Sequence, residues 1–398
     1  MIRRRLILIV IVLLLNWIFL PVSFACKYTI REIGFTDIGA EPYLLYFFAQ
    51  SNTSEEIIST FRKVAYPVLM ETNVKAEIIN VDEQKEHPAL KFLHHWNAGS
   101  FPVAILVSSE GRSIVVPFPK TRKSTKESVW SMTESVVNSR IRGEIIKNIV
   151  RSYSIVLLIE GEDVSENKIA RNKAEQAINE ISGFVGSMPK PTDIIPKIII
   201  IPNESISNEN ILLWSLGFDR AINNGPEIAV LYGRGRLMGP VLKNEQITKT
   251  NIFNLLSIVY ADCECGLDRR WKLGTMIPFR WETKIQGELV KQLGFDVENP
   301  MIKSEMSQIL SIDVSVIPRN GKLSNPLDYN LFGYDKEQGE SVEEANSKQL
   351  SSAQIQNLYS SSERRPVIKI VLFSAGILVL IILVISIFIL LKAKKRAS

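Results

Sequence analysis

The sequence predicts an α/β protein of two successive mixed units, held at a membrane by a C-terminal helix. Three observations carry this. Strand-like and helix-like segments alternate in the same order twice between residues 40 and 262; an apolar run follows three N-terminal arginines; and Ile370 to Leu391, 22 residues, carries no charge.

Charge is distributed unevenly. The 398 residues include 47 Lys or Arg and 42 Asp or Glu, a formal net charge of +5. Residues 1–25 hold three of the bases (Arg3, Arg4, Arg5) and residues 367–398 hold five (Lys369, Lys392, Lys394, Lys395, Arg396), with no acid in either segment. Cys26 to Pro366 therefore keeps 39 bases against 42 acids, a net charge of −3. The surplus belongs to membrane flanks, which argues against nucleic acid as a partner. A charged fraction of 22%, with large apolar residues throughout, excludes chain-wide disorder.

Residues 1–25 read as a signal peptide: basic start, apolar run from Leu6 to Leu20, Pro21 as a breaker, and small residues Ser23 and Ala25 before Cys26. An uncleaved signal anchor and a lipidated Cys26 are the competing readings, and Phe24 fits the second poorly.

Residues 27–150 form the first unit. Tyr43–Phe48 is a buried strand, and a helix follows in which Ile57, Ile58, Phe61, Val64, Ala65, Val68 and Leu69 share one face. Thr53 with Glu56 gives that helix a capping box. Next come a strand at Ala76–Val81, helical spacing over Pro88–Trp96, strands at Val103–Val107 and Ile114–Val116 with a turn at Gly111, and a helical region at Glu127–Asn148.

Residues 151–266 repeat the order with strands at Ser154–Ile159, Lys197–Ile201, Ile228–Tyr232 and Val241–Leu242, and helices at Glu166–Val185, Glu209–Leu216 and Ile252–Tyr260. Pro102 precedes Gly111-Arg112 by the same offsets as Pro226 precedes Gly235-Arg236, the mark of a divergent internal repeat. Residues 267–333 are an aromatic-rich extension and 334–366, rich in Ser, Glu, Gln and Asn, a flexible stalk. Residues 367–391 are a transmembrane helix, long enough for a bilayer core of about 30 Å. The basic residues of 392–398 place that tail in the cytoplasm, with the main domains outside it.

The first unit resembles the thioredoxin-like superfamily. Phe47-Phe48-Ala49-Gln50 stands where that family has an aromatic strand end before its active-site turn, Asn80-Val81-Asp82 resembles its second strand end, and Phe101-Pro102-Val103 followed by Gly111 resembles its cis-proline strand and hairpin. The likeness covers residues 40–150 and extends to 151–262 by element order alone. It implies a cis Pro102, with Pro226 as counterpart; edge-strand starts are the plainer reading of both prolines. Redox members carry Cys-x-x-Cys at the first helix start, where the helix end favours a thiolate. Here those positions hold Asn52 and Glu55, or Ser51 and Ser54 one residue over, so the resemblance is to redox-inactive, binding or structural members.

The remaining sulfur chemistry is Cys263-Glu264-Cys265, three cysteines in all with Cys26. A redox or disulfide-prone pair, a bridge from Cys26 to one of the two, and a metal site that needs further ligands all remain open; His87, His94 and His95 lie in the other unit. Gly233-x-Gly235 reads as a hairpin, not a phosphate loop. His94-His95-Trp96 reads as a helix end, and the cluster Lys120, Arg122, Lys123 and Lys126 as a solvated loop or a patch for an acidic partner. Trp271, Met276, Pro278, Phe279 and Trp281, interleaved with Arg269, Arg270 and Arg280, are either core against the second unit or a partner surface. No cofactor is implied. The whole points to an exported, membrane-anchored interaction or scaffold module of the cell envelope with a protein partner; the alternative is a thiol-disulfide oxidoreductase or metal-handling protein working through Cys263 and Cys265.

Overall fold

The run Tyr-Leu-Leu-Tyr-Phe-Phe-Ala must be covered on both faces, and around it the first sheet is built. The computed structural model describes residues 27–38, 42–95, 101–118, 124–188, 190, 192, 194–218, 224–261, 272–311 and 327. β1 (Tyr43–Ala49) lies between β2 (Val74–Asn80), parallel to it, and β3 (Val103–Val107), antiparallel; β4 (Ser113–Val116) closes the order β2-β1-β3-β4. Alternation divides the strand: Tyr43, Leu45, Phe47 and Ala49 meet α2 (Glu55–Leu69) and α3 (Thr125–Val137), while Tyr46 and Phe48 face the 3-10 segment Pro88–His95.

The second sheet repeats the first. β5 (Ile155–Ile159) pairs parallel with β6 (Lys197–Ile201) and antiparallel with β7 (Glu227–Tyr232), and β8 (Arg236–Lys243) completes the order β6-β5-β7-β8. A parallel βαβ unit followed by an antiparallel hairpin and a helix, twice, is the thioredoxin-like fold. Both hairpin turns use the glycines that the repeat matched, Gly111 at φ +79° and Gly235 at φ +67°, a region open to glycine at no steric cost. Gly233 also belongs to that turn. The lone Gly pattern is thus a hairpin.

Two segments that precede residue 150 in the chain pack with the second sheet. Glu127–Asn148 is two helices, α3 and α4 (Arg140–Ile149), split at Asn138–Ser139. The apolar stripe of α4, Ile141, Ile145 and Ile149, packs with Ile155, Leu157 and Ile199 of the second sheet. Glu209 fixes its start, accepting from Ser139 Oγ (2.5 Å) and the Ile141 amide (3.1 Å). The N-terminal segment is likewise claimed by the second unit: in and beside α1 (Ile30–Gly34), Ile30 enters the core around α5 (Val164–Phe184) and α7 (Lys249–Tyr260), and Phe35 enters the opposite core. Tyr28 and Ile33 meet Met306 and Leu310 of α9 (Pro300–Ser311), beyond α8 (Thr283–Leu293).

Residues 275–281 tie the units together. On one side the Leu237 amide donates to Thr275 O (2.9 Å) and the Ile277 amide to Gly235 O (3.1 Å). On the other, Asn73 Nδ2 donates to Ile277 O (2.9 Å), and the Phe279 and Trp281 amides donate to Asn73 Oδ1 (3.0 Å) and Glu71 O (2.8 Å). Met276, Pro278 and Phe279 are buried along this strap, so core packing holds there over a partner surface. Arginines secure the joints. Arg112 and Arg236, each just after a hairpin glycine, donate to carbonyls ending the short helices α6 (Asn210–Ser215) and α1. Arg142, 2% exposed, donates to Ser135, Val136 and Asn138 carbonyls at the end of α3 and to Pro278 O of the strap (3.0 Å). Burial pushes its pKa down to about 10, which leaves it charged at neutral pH.

The segments 1–25, 334–366, 367–391 and 392–398, and the three cysteines, lie outside the described residues. Among those described, no helix is long and apolar enough to cross a membrane.

Replacing Arg142 by Lys keeps the charge but gives up the planar fork, and the orphaned carbonyls should cost about 3 kcal/mol, read as a lower urea midpoint. The strap also carries Arg280, paired with Glu134 at 2.7 Å. Burial alone would raise the Glu134 carboxyl, but the Arg280 hydrogen bonds outweigh it and hold it below the usual carboxylate range. A carboxyl depressed in the fold adds stability above its unfolded pKa and loses it as pH falls through the folded value. Glu134→Gln should therefore cost stability at pH 7 and flatten the acid limb of a melting-temperature profile.

Candidate functional site

The turn between β1 and α2 is where the resemblance would put the Cys-x-x-Cys of redox members. The turn here is built from hydroxyl, amide and carboxylate groups. Thr53 Oγ1 accepts from the Gln50 amide (2.9 Å), the Ser51 amide donates to Asp82 Oδ2 (2.8 Å), and Asn80 Oδ1 accepts from the Asp82 amide (3.1 Å). Asn80 Nδ2 also approaches Ser51 Oγ at 3.4 Å. The capping box expected of Thr53 and Glu56 is not formed. The helix begins at Glu55 with Ser54 as N-cap and no side-chain cap, because Thr53 is spent on closing the turn before it. Asn52 and Glu55 are exposed at the helix start. Nothing here can become a thiolate, and a hydroxyl or carboxylate cannot exchange disulfides.

The Phe101–Pro102 peptide beside this turn is cis. Pro226, expected as its counterpart, follows a trans bond; the Phe101–Pro102 bond is the only cis bond among the described residues. The approach to Pro226 is already fixed, since Asn224 O accepts from the Glu162 amide (3.0 Å) and the Asn224–Gly225 backbone lies against Gly161. A Cβ on Gly161 would come within 2.4 Å of Asn224 O. The equivalent site of the second unit is therefore filled by its own backbone. Asp163 caps α5 there, accepting from the Ser165 amide at 2.6 Å and the Glu166 amide at 3.2 Å.

Cys263 and Cys265, the candidate catalytic or metal-binding pair, lie outside the described residues, as do Cys26, Arg269, Arg270 and Trp271. Of the Lys120–Lys126 cluster, Lys126 alone is described, exposed on α3. His87 is structural: its Nδ1 accepts from the Ala89 amide (3.3 Å) and its Nε2 lies 3.3 Å from Glu77. His94 and His95 end the 3-10 segment, with their side chains outside the description. Among the described residues no group of three or more His, Cys, Asp or Glu stands in position to hold a metal.

Two clefts that sequence reasoning missed flank the strap. One, about 370 Å³, opens between α4 and the start of α8 and carries Gly143, Ile146, Lys147, Arg280, Lys284 and Ile285. The other, about 290 Å³, holds Asp37, Asn73, Arg234, Trp281 and Glu298. In it the Arg234 guanidinium lies 4.9 Å over the Trp281 ring and pairs with Glu298. The aromatic and arginine interleaving around Trp281 was the one available signal, and it marked the strap rather than the clefts beside it.

No protein-family model matches the chain, and no curated protein sequence does. Among solved structures, the first two thioredoxin domains of Saccharomyces cerevisiae Eps1p are 10% identical, with 60% of this chain and 95% of that one covered and a TM-score of 0.20. The zinc-bound form of human ERp44 is 10% identical over 69% of this chain and 65% of its own, at a TM-score of 0.20. The NTD_N/C domain of the Enterococcus faecalis alkylhydroperoxide reductase AhpF is 12% identical over 60% and 100%, at 0.16. These likenesses bear on fold alone, and the thioredoxin-like assignment rests on the strand order and polarity of the two sheets.

Thr53→Ala should cost about 1 kcal/mol by breaking the turn bond, whereas Ser54→Ala, which removes no cap, should stay within about 0.5 kcal/mol of the parent in urea unfolding.

Proposed function

We propose that this protein is exported and membrane-anchored, and that its two thioredoxin-like units form a rigid, non-redox interaction platform in the cell envelope. One observation carries the platform reading: the active-site turn of the first unit is closed by Thr53, Ser51 and Asp82 in place of thiols, while that of the second is filled by Asn224–Gly225 backbone. With neither turn equipped for disulfide exchange, what the fold offers is surface, and the strap holds the surfaces of both units in one frame. The basic start and apolar run of residues 1–20 support export, the charge-free Ile370–Leu391 supports the anchor, and the tail bases support a cytoplasmic C-terminus. The net −3 of the intervening region favours a protein partner over nucleic acid.

The test is made on the full chain in detergent and in membrane vesicles. Protease added on the extracytoplasmic side should remove nearly all of the mass and leave a short C-terminal stub; protected central domains would end the export reading. Insulin reduction in the presence of dithiothreitol should stay at the uncatalysed rate, and Cys263→Ser with Cys265→Ser should lower the melting temperature without changing that rate. Brisk reduction that the double substitution abolishes would replace the platform with a thiol-disulfide oxidoreductase.

A further inference from the structure

The larger cleft beside the strap has an unbalanced charge. Its bases are Arg142, Lys147, Arg151, Arg280 and Lys284, and its acids Glu282 and Glu288. Most of these are already engaged. Arg280 is held by Glu134, Arg151 by Glu288 at 3.1 Å, and the buried Arg142 spends its donors on carbonyls and on Ser139 Oγ, so its charge meets no carboxylate directly. Lys147 and Lys284 remain, against Glu282, the one lining acid that no ion pair takes up among the described residues. The two lysines stand exposed on the two facing walls and, among the described residues, make no ion pair. Between them the lining turns apolar, with Ile146, Val150 and Ile285. A volume of about 370 Å³ lies within the range of ligand clefts, about 300–1,000 Å³.

Gly143 lines this opening. It lies inside α4 on the cleft wall, where glycine is less favourable than alanine, and an added Cβ would meet nothing within 4 Å. Packing therefore does not demand the glycine, and a larger side chain at 143 would project into the cleft.

We propose that this cleft receives an extended acidic peptide segment of a protein partner, with carboxylates against Lys147 and Lys284 and an apolar side chain on Ile146 and Ile285 between them. The buried Arg142 adds little to this attraction, because Glu209, joined to it through Ser139 Oγ, and Glu134 both offset its charge, so the two lysines carry it. The assignment rests on the platform reading and names its partner class.

The probe is a fluorescently labelled, acetylated pentapeptide alternating glutamate and leucine, titrated with the full chain in detergent and read by anisotropy. Its glutamine counterpart, phosphatidylglycerol vesicles and inorganic phosphate serve as competitors. The acidic peptide should bind, and the glutamine peptide should not. Lys147→Glu with Lys284→Glu should weaken binding about tenfold or more, and raising salt should weaken it further. Gly143→Leu should give a similar loss with no charge changed. Both variants should keep the parent melting temperature, and if one fails to fold the other decides. Equal binding by the variants, no saturable binding by the parent, or displacement by vesicles or phosphate as effective as by the acidic peptide would overturn the proposal. Any of those outcomes, with insulin reduction still at the uncatalysed rate, would move the partner elsewhere on the platform and leave the platform itself standing.

Discussion

Helix C-termini leave carbonyls without partners, and in this molecule guanidinium groups from other elements supply the donors. Arg236 from β8 serves α1, Arg280 from the strap serves α2, Arg142 from α4 serves α3, Arg31 from α1 serves the end of α4 through Val150 O and Ser152 O, and Arg112 from the first hairpin serves α6. The bonds add donors to carbonyls at helix ends, some of which, like Gly34 O and Trp214 O, also accept a backbone amide, and each places positive charge where the helix dipole favours it. Since every donor comes from a different element than the helix it serves, these contacts also fix how elements sit against one another. Burial works against the charged form in Arg31, Arg142 and Arg236, and several carbonyls around each planar fork offset that cost.

The same logic explains why the two repeats form one body. Arg112 carries the first hairpin to the end of α6 in the second unit, and Tyr43 Oη donates to Met276 O (2.7 Å), so the first unit holds both the second unit and the strap. The equivalent hairpin arginine of the second unit, Arg236, turns instead to the N-terminal segment, reaching Gly34 O and Thr36 O. One repeated residue thus performs two different joints. Divergence between the repeats lies in what stands next to each hairpin, and the sheets themselves are conserved in order and polarity.

Much of this was legible in the sequence. The succession of strands and helices along the chain and the hairpin glycines follow from short-range patterns, an apolar run covered on both faces and the repeated Pro to Gly-Arg spacing, whereas the single mixed sheet and the cis Pro102 were implied by the thioredoxin-like resemblance of Phe101-Pro102-Val103. The neighbours of an amphipathic face were not legible. The stripe Ile141, Ile145, Ile149 says that α4 must be covered, yet it fits either sheet, and Glu209, 60 and more residues away, decides the matter. Tyr28 to Phe35 posed the same difficulty. Helix capping at Thr53 failed because two acceptor roles competed for one hydroxyl and the turn won. The clefts were out of reach for another reason: they exist only where the strap crosses between units, and an arginine that donates to a carbonyl leaves no pattern, since every residue carries one.

The placement of residues 28–36 in the second unit has a consequence for synthesis. A chain made from its N-terminus presents Ile30, Ile33 and Phe35 first, yet their partners include Tyr260, Ile277, Leu289 and Met306. The first unit, by contrast, has its strands and helices within the continuous stretch Tyr43–Val137. The ribosome can therefore finish one sheet with both its flanking helices while the other still lacks the residues that seal it, and the earliest-made apolar segment must wait for nearly the last. Long-range closure of this kind is slow and leaves apolar surface open meanwhile. Maturation is then a two-step schedule, an early half with a finished sheet followed by a late clasp, and the interval between the two is when the nascent protein is most exposed to chaperones and proteases.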